Sequence, residues 1–148
     1  MKNLFDLTGK KAIVTGGAGG IGSAITKAFH ESGVEVTIID IMDEMYDLAD
    51  ELSKSGPPVH AIKADFTNID EVESACTEAI NKMNGLTILV NNAGTHVRKS
   101  IFDHTREDME QILAVNFTSH FWISRIAAMH MKEQGYGKII NTCSLLSF

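Results

Sequence analysis

Cysteine is scarce in this chain of 148 residues: Cys76 and Cys143 are the only two. Two such thiols make neither a disulfide framework nor a metal centre, so both are expected to be reduced. His30, His60, His96, His104, His120 and His130 fall at no spacing that would join them to cysteines or carboxylates as ligands, and no metal is expected. Positive charge is also short. Thirteen Lys and Arg face 19 Asp and Glu, a formal net charge of −6, which argues against a broad nucleic-acid or anionic-membrane surface. No run of about 18 apolar residues occurs, and the opening MKNLFDLTGKK lacks an apolar signal core. The expectation is a cytoplasmic protein with no membrane partner. The two prolines are adjacent, at 57 and 58. What remains, 44% hydrophobic and 22% charged, is an ordinary composition for one globular domain.

The most informative stretch is Lys11 to Gly22, KAIVTGGAGGIG. Ala12-Ile13-Val14 has no helical period and reads as a buried strand bounded by glycines. Thr15 to Gly22 breaks it. Ile21, Ala24, Ile25, Ala28 and Phe29 then fall on one helical face. Strand, glycine turn and helix in that order make a phosphate site. Gly16 can turn the chain tightly, Gly20 lets backbone approach a pyrophosphate, and Gly22 lets the helix pack on the strand. The pyrophosphate would meet the free N–H groups and positive dipole end of the helix.

Further elements follow in alternation. Val34 to Asp40 is a second strand ending in a carboxylate, 18 residues past Gly22. An acid at that distance can accept the ribose hydroxyls of an adenosine and repel a 2′-phosphate; otherwise it simply ends a strand. With no Lys or Arg in the glycine turn, NAD is favoured over NADP. Met42 to Ser55 reads as a helix, with Met45, Leu48, Ala49 and Leu52 inward, stopped by Gly56-Pro57-Pro58. Val59 to Ala64 is a third strand, followed by Asp65-Phe66, where Asp65 either receives an adenine amino group or serves as a turn carboxylate. Asn68 and Glu71 cap a third helix with Val72, Ala75, Cys76, Ala79, Ile80 and Met83 inward. Leu86 to Val90 is a fourth strand, leading into Asn91-Asn92-Ala93-Gly94. In the loop 95–102, His96, Arg98 and Lys99 either meet an anionic substrate or are merely solvated. Thr105 starts a long helical region to about Gln134, with a bend near Asn116. Met109, Ile112, Leu113, Asn116 and Phe117 share a face, followed by Phe121, Ile123, Ile126 and Ala127. Asn116 is a polar residue inside that apolar stripe and needs a partner. Lys138 to Thr142 is a fifth strand, and the chain closes on CSLLSF.

Thr-Gly-x-x-x-Gly-x-Gly at Thr15 to Gly22, then Asp40, then Asn91-Asn92-Ala93-Gly94, resembles the short-chain dehydrogenase/reductase family, and especially its gluconate and deoxygluconate dehydrogenases. The resemblance implies a Rossmann-type, doubly wound parallel α/β sheet of about five strands. It implies a cofactor site at Thr15, Gly16, Gly20, Ile21, Gly22, Asp40, Asp65, Phe66, Asn92, Ala93 and Gly94. It also implies hydride transfer between NAD and a secondary alcohol or ketone, a sugar acid among the candidates. Asn116, in Val115-Asn116, matches the asparagine that holds water in the family's proton relay; a plain core hydrogen bond is the alternative. Ser144 matches the serine that binds the substrate oxygen, with Ser147 its nearest competitor. The family's tyrosine with a lysine four residues on is missing: Tyr46 and Tyr136 are followed at that spacing by Asp50 and Ile140. The expectation is therefore the N-terminal part of the family's domain, truncated before the relay and before the helix through which members form homo-oligomers. Two alternatives remain open, a non-catalytic nucleotide-binding or interaction module and, more distantly, a methyltransferase of similar topology.

Overall fold

The computed structural model describes residues 5–144; Ser147 and the apolar Leu145, Leu146 and Phe148 lie outside them. Among the described residues, five strands and five α-helices alternate as far as the fourth strand, after which two helices precede the last strand. They are β1 (Lys11–Thr15), α1 (Gly20–Glu31), β2 (Glu35–Asp40), α2 (Glu44–Leu52), β3 (Val59–Lys63), α3 (Ile69–Met83), β4 (Ile88–Asn91), α4 (Arg106–Leu113), α5 (Ser119–Gln134) and β5 (Lys138–Asn141). A single turn of 3₁₀ helix (Ile101–Asp103) precedes α4, and a π-helical turn (Ala114–Thr118) joins α4 to α5. All strand pairings are parallel, in the order β3-β2-β1-β4-β5. The expected doubly wound sheet is thus present.

Side chains alternate across the central strand. Ala12 and Val14 of β1 join Val36, Ile38, Met45 and Val90 in a core under α1 and α2. Ile13 joins Ile39, Ile62, Leu89, Val72, Cys76 and Ile123 in a second core under α3 and α5. A strand covered on both faces reads as a continuous apolar run, as Ala12-Ile13-Val14 does. Cys76 is the small core residue of α3, and burial pushes its thiol up to about 12. Asn68 caps α3 by accepting from the N–H groups of Asp70 and Glu71, and Glu71 reaches back to the Asn68 amide and the Asp65 N–H.

Two expected helix faces are corrected by the packing. In α1 the buried residues are Gly22, Thr26 and His30, with Ile25 and Phe29 partly covered; Ile21, Ala24 and Ala28 face outward. The closest approach is made through Gly22 rather than through the larger apolar side chains, and this sets the rotation of the helix. In the long helical region the bend expected near Asn116 is the π turn. Met109, Leu113, Asn116 and Phe117 of the stripe are exposed, however, and so is Phe121; Ile123 and Ala127 are buried as expected, with Ile126 partly covered, and Ser119 and Met131 are buried beside them. A π turn adds a residue to the helical cycle, so residues 109–117 and the buried residues of α5 do not lie on one continuous face.

Candidate nucleotide-binding site

The strand order reverses between β1 and β4, and a crevice opens there at the C-terminal strand ends. In open α/β sheets this is where ligands bind. The cleft measures about 480 Å³ and is lined by Gly16, Ile21, Asp40, Asp65, Phe66, Asn92, Ala93 and Gly94 among the expected residues. It is also lined by Met42, Thr95, Gln111 and Val115, which the sequence did not single out. A signal for Val115 was available in Val115-Asn116, and Gln111 lies one helical turn before it. Among the described residues, no Lys, Arg or His lines the cleft.

The floor of the cleft is built around Thr15, which is fully buried. Its hydroxyl donates to the Val90 carbonyl and accepts from the N–H groups of Asn92 (2.9 Å) and Ala93 (3.0 Å). One threonine thereby ties the glycine turn to the Asn-Asn-Ala-Gly turn. Asn92 returns the contact, its amide donating to the carbonyls of Thr15 and Gly16. Asn91 points the other way and joins β4 to Ser124 of α5 and Asn141 of β5.

Spacing in the glycine turn is tight on one side and open on the other. A Cβ on Gly22 would sit 1.9 Å from the Gly16 carbonyl oxygen, and one on Gly16 would sit 2.8 Å from Ala93 Cα. Gly20 has a left-handed φ of 46° and nothing within 4 Å of a Cβ built on it. The first turn of α1 therefore faces free space, with N–H groups that a helix leaves without an internal acceptor. This cradle fits a dinucleotide pyrophosphate.

Asp40 is 6% exposed at the end of β2. Its Oδ1 accepts from the N–H groups of Ile41 (2.8 Å) and Met42 (3.1 Å), and its Oδ2 accepts from Ala18 N–H (3.0 Å). It is thus an anchor for the glycine turn as well as a carboxylate on the cleft. A carboxylate offers about four acceptor positions, so Oδ2 keeps one. Asp65 Oδ1 accepts from the Thr67 N–H and hydroxyl, the turn arrangement foreseen as one of its two readings.

Asn116 lies on the π turn, exposed, and brackets Thr95. Its Oδ1 accepts from Thr95 N–H and its Nδ2 donates to the Thr95 carbonyl, both at 2.8 Å. One turn further, His120 Nε2 is 2.8 Å from the Ala93 carbonyl oxygen. Ser144 lies beyond the end of β5, at the same C-terminal edge of the sheet, and is exposed. Of the basic loop residues, Lys99 is committed to Asp108 at the start of α4 (2.7 Å), and Arg98 Nε donates to His96 Nε2 (3.0 Å).

A parallel sheet with a glycine cradle and an acidic residue at the end of β2 defines a dinucleotide-binding α/β protein. Residues 10–148 match the family model for short chain dehydrogenase, and the chain belongs to that family. It is 35% identical over 142 residues to a Rhizobium meliloti protein assigned as galactose dehydrogenase, covering 95% of this chain and 56% of the relative. It is 32% identical over 148 residues to Escherichia coli 5-keto-D-gluconate 5-reductase, covering 99% of this chain and 58% of that one. Among solved structures, a Beutenbergia cavernae protein assigned as an NAD(P) dependent gluconate 5-dehydrogenase, with NADP at low occupancy, superposes with a TM-score of 0.91 at 30% identity. That match covers 97% of this chain and 57% of the neighbour. The chain therefore spans a little over half the length of the proteins it matches.

Proposed function

We propose that residues 1–148 are the NAD-binding part of an oxidoreductase that interconverts a secondary alcohol and a ketone, with a sugar acid as the substrate class. The observation that carries this reading is the cleft itself: an open glycine cradle at the start of α1, with Asp40 across from it and, among the described residues, no cation lining it. Bound nicotinamide dinucleotide would supply hydride transfer. Gly20, Ile21 and Gly22 present backbone N–H groups to the pyrophosphate, and Asp40 Oδ2 accepts a ribose hydroxyl. Asp65 and Phe66 flank the adenine end, and Asn92, Ala93 and Gly94 form the wall towards the reacting end. Asn116 and Ser144 act on the proton and the substrate oxygen. The gluconate-related relatives support the substrate class, and Arg98 is the loop cation left to meet a carboxylate, because Lys99 is held by Asp108. The full-length protein pairs with itself through the exposed face of the π turn and α5.

A titration with NADH and NADPH tests the cofactor. NADH binds more tightly in the wild type. In Asp40→Ala, NADH weakens about tenfold or more, as expected when a charged acceptor is removed, and the gap to NADPH narrows. An unchanged preference rejects the role of Asp40.

A second reading concerns residues 1–148 taken by themselves: a stretch that binds nucleotide and lacks a Tyr-x-x-x-Lys pair within it. General acid catalysis needs a proton donor beside the developing oxyanion, and Tyr46 and Tyr136 have no lysine four residues on. A carbonyl-reduction assay with NADH separates the two. Residues 1–148 by themselves should show little turnover while still binding NADH; robust turnover would mean that the proton comes from a residue within this stretch.

A further inference from the structure

The Ala93-Gly94-Thr95 backbone is gripped from the helical side at two points, four residues apart on one helical path. Asn116 on the π turn holds both the N–H and the carbonyl of Thr95. His120, on the first turn of α5, reaches the Ala93 carbonyl at 2.8 Å. From below, Thr15 holds the N–H of Ala93. Gly94 lies between the two grips, and all three backbone units line the cleft. A carbonyl oxygen only accepts, so His120 Nε2 must carry the proton. Burial pushes the imidazole below its ordinary pKa, against the opposing pull of the Ala93 carbonyl.

We infer that His120 is a positioning residue: its Nε2–H fixes the Ala93 carbonyl and, together with Asn116, holds the Ala93-Gly94-Thr95 backbone in the shape that receives the dinucleotide. The consequence for binding rests on the cofactor reading above; the mechanical grip does not. The helical register follows from the π turn. It presents Asn116 to Thr95 while leaving His120, one turn on, facing Ala93.

Two variants of the full-length protein test this. His120→Phe keeps a ring of similar bulk and removes the donor. His120→Gln keeps an N–H at a similar reach. Hydrogen exchange is read at the amides of residues 92–96, with β2 as the control, alongside NADH titration. In His120→Phe, the Thr95 amide should exchange about fivefold or more faster and NADH should bind about three- to tenfold more weakly, the range for one lost neutral hydrogen bond. β2 should be unchanged, and His120→Gln should return both readouts towards wild type. Exchange at Thr95 that stays at the wild-type rate, or that rises equally at β2 and in His120→Gln, overturns the inference. If wild-type protein does not bind NADH, the cofactor reading falls and the exchange comparison still decides the grip. Should His120→Phe not fold, His120→Met takes its place with the same criteria.

Discussion

At the scale of single residues, the two ends of the glycine turn ask for glycine for different reasons. Gly22 is packed against the Gly16 carbonyl, so Gly22→Ala must push α1 off the sheet. The expected loss is about 3 kcal/mol or more, at the upper end of overpacking costs, and is read as a large fall in the thermal midpoint. Gly20 faces open space, so Gly20→Ala adds only the strain of a left-handed residue, about 1–2 kcal/mol. Its methyl would sit at the mouth of the phosphate cradle, so NADH affinity should fall more than stability does. If Gly20→Ala binds NADH like wild type, the cradle is not where the pyrophosphate lies. The spacing in the sequence assigned Gly22 to packing and Gly20 to the phosphate, but it could not show what Gly22 packs against or how open Gly20 is. Both depend on which atoms lie opposite, and Gly16 and Asn92 are 70 residues apart or more from one another in the chain.

At the scale of elements, α4 begins with a lock. Thr105 accepts from Asp108 N–H, and Asp108 accepts from Thr105 N–H and from Lys99 Nζ. The Lys99 ammonium, followed by the Thr105 N–H, holds the Asp108 carboxyl down at about 2. A carboxylate with a lowered pKa in the folded state stabilises above its ordinary value of 3.8 and loses that contribution as pH falls through about 2. The Thr105 amide resonance should therefore titrate with a midpoint near 2 in an NMR pH series; a midpoint near 3.8 would mean that the lock is open in solution. The capping residues were legible in the sequence because capping is local. The outward face of α4 and the rotation of α1 were not. Each was traced from a constant helical period, and the π turn and the Gly22 contact shift the phase. Thr15, by contrast, was marked by its place in the motif, but its role in joining two turns emerged only once β1 and β4 lay side by side.

At the scale of the molecule, the sheet has a covered middle and an exposed side. β5 is exposed along its length, with Ile139 and Ile140 uncovered, and Phe102, Phe117 and Phe121 are 94%, 67% and 56% exposed. Apolar surface of this extent calls for a covering partner. Residues 1–148 prepared by themselves should bind a dye such as 8-anilinonaphthalenesulfonate and sediment above the 16.2 kDa of a single chain. A dye-negative monomer would mean that these side chains cover one another in solution. Among the described residues, no helix is long and apolar enough to cross a membrane.

The alternation of strands and helices, the covered central strands, the capping residues and the family were settled by the sequence alone, because each is written in local pattern: continuous apolar runs, glycine spacing, and short motifs at strand ends. Only the tertiary structure decided the strand order, which brings Thr15 against Asn92 and Ala93. It also decided which face of each helix is buried, that Asp40 anchors the glycine turn as well as facing the cleft, and that His120 grips Ala93. The physical reason is the same in each case. These are contacts between segments up to about 80 residues apart, and their geometry is fixed by packing rather than by the chemistry of neighbouring residues.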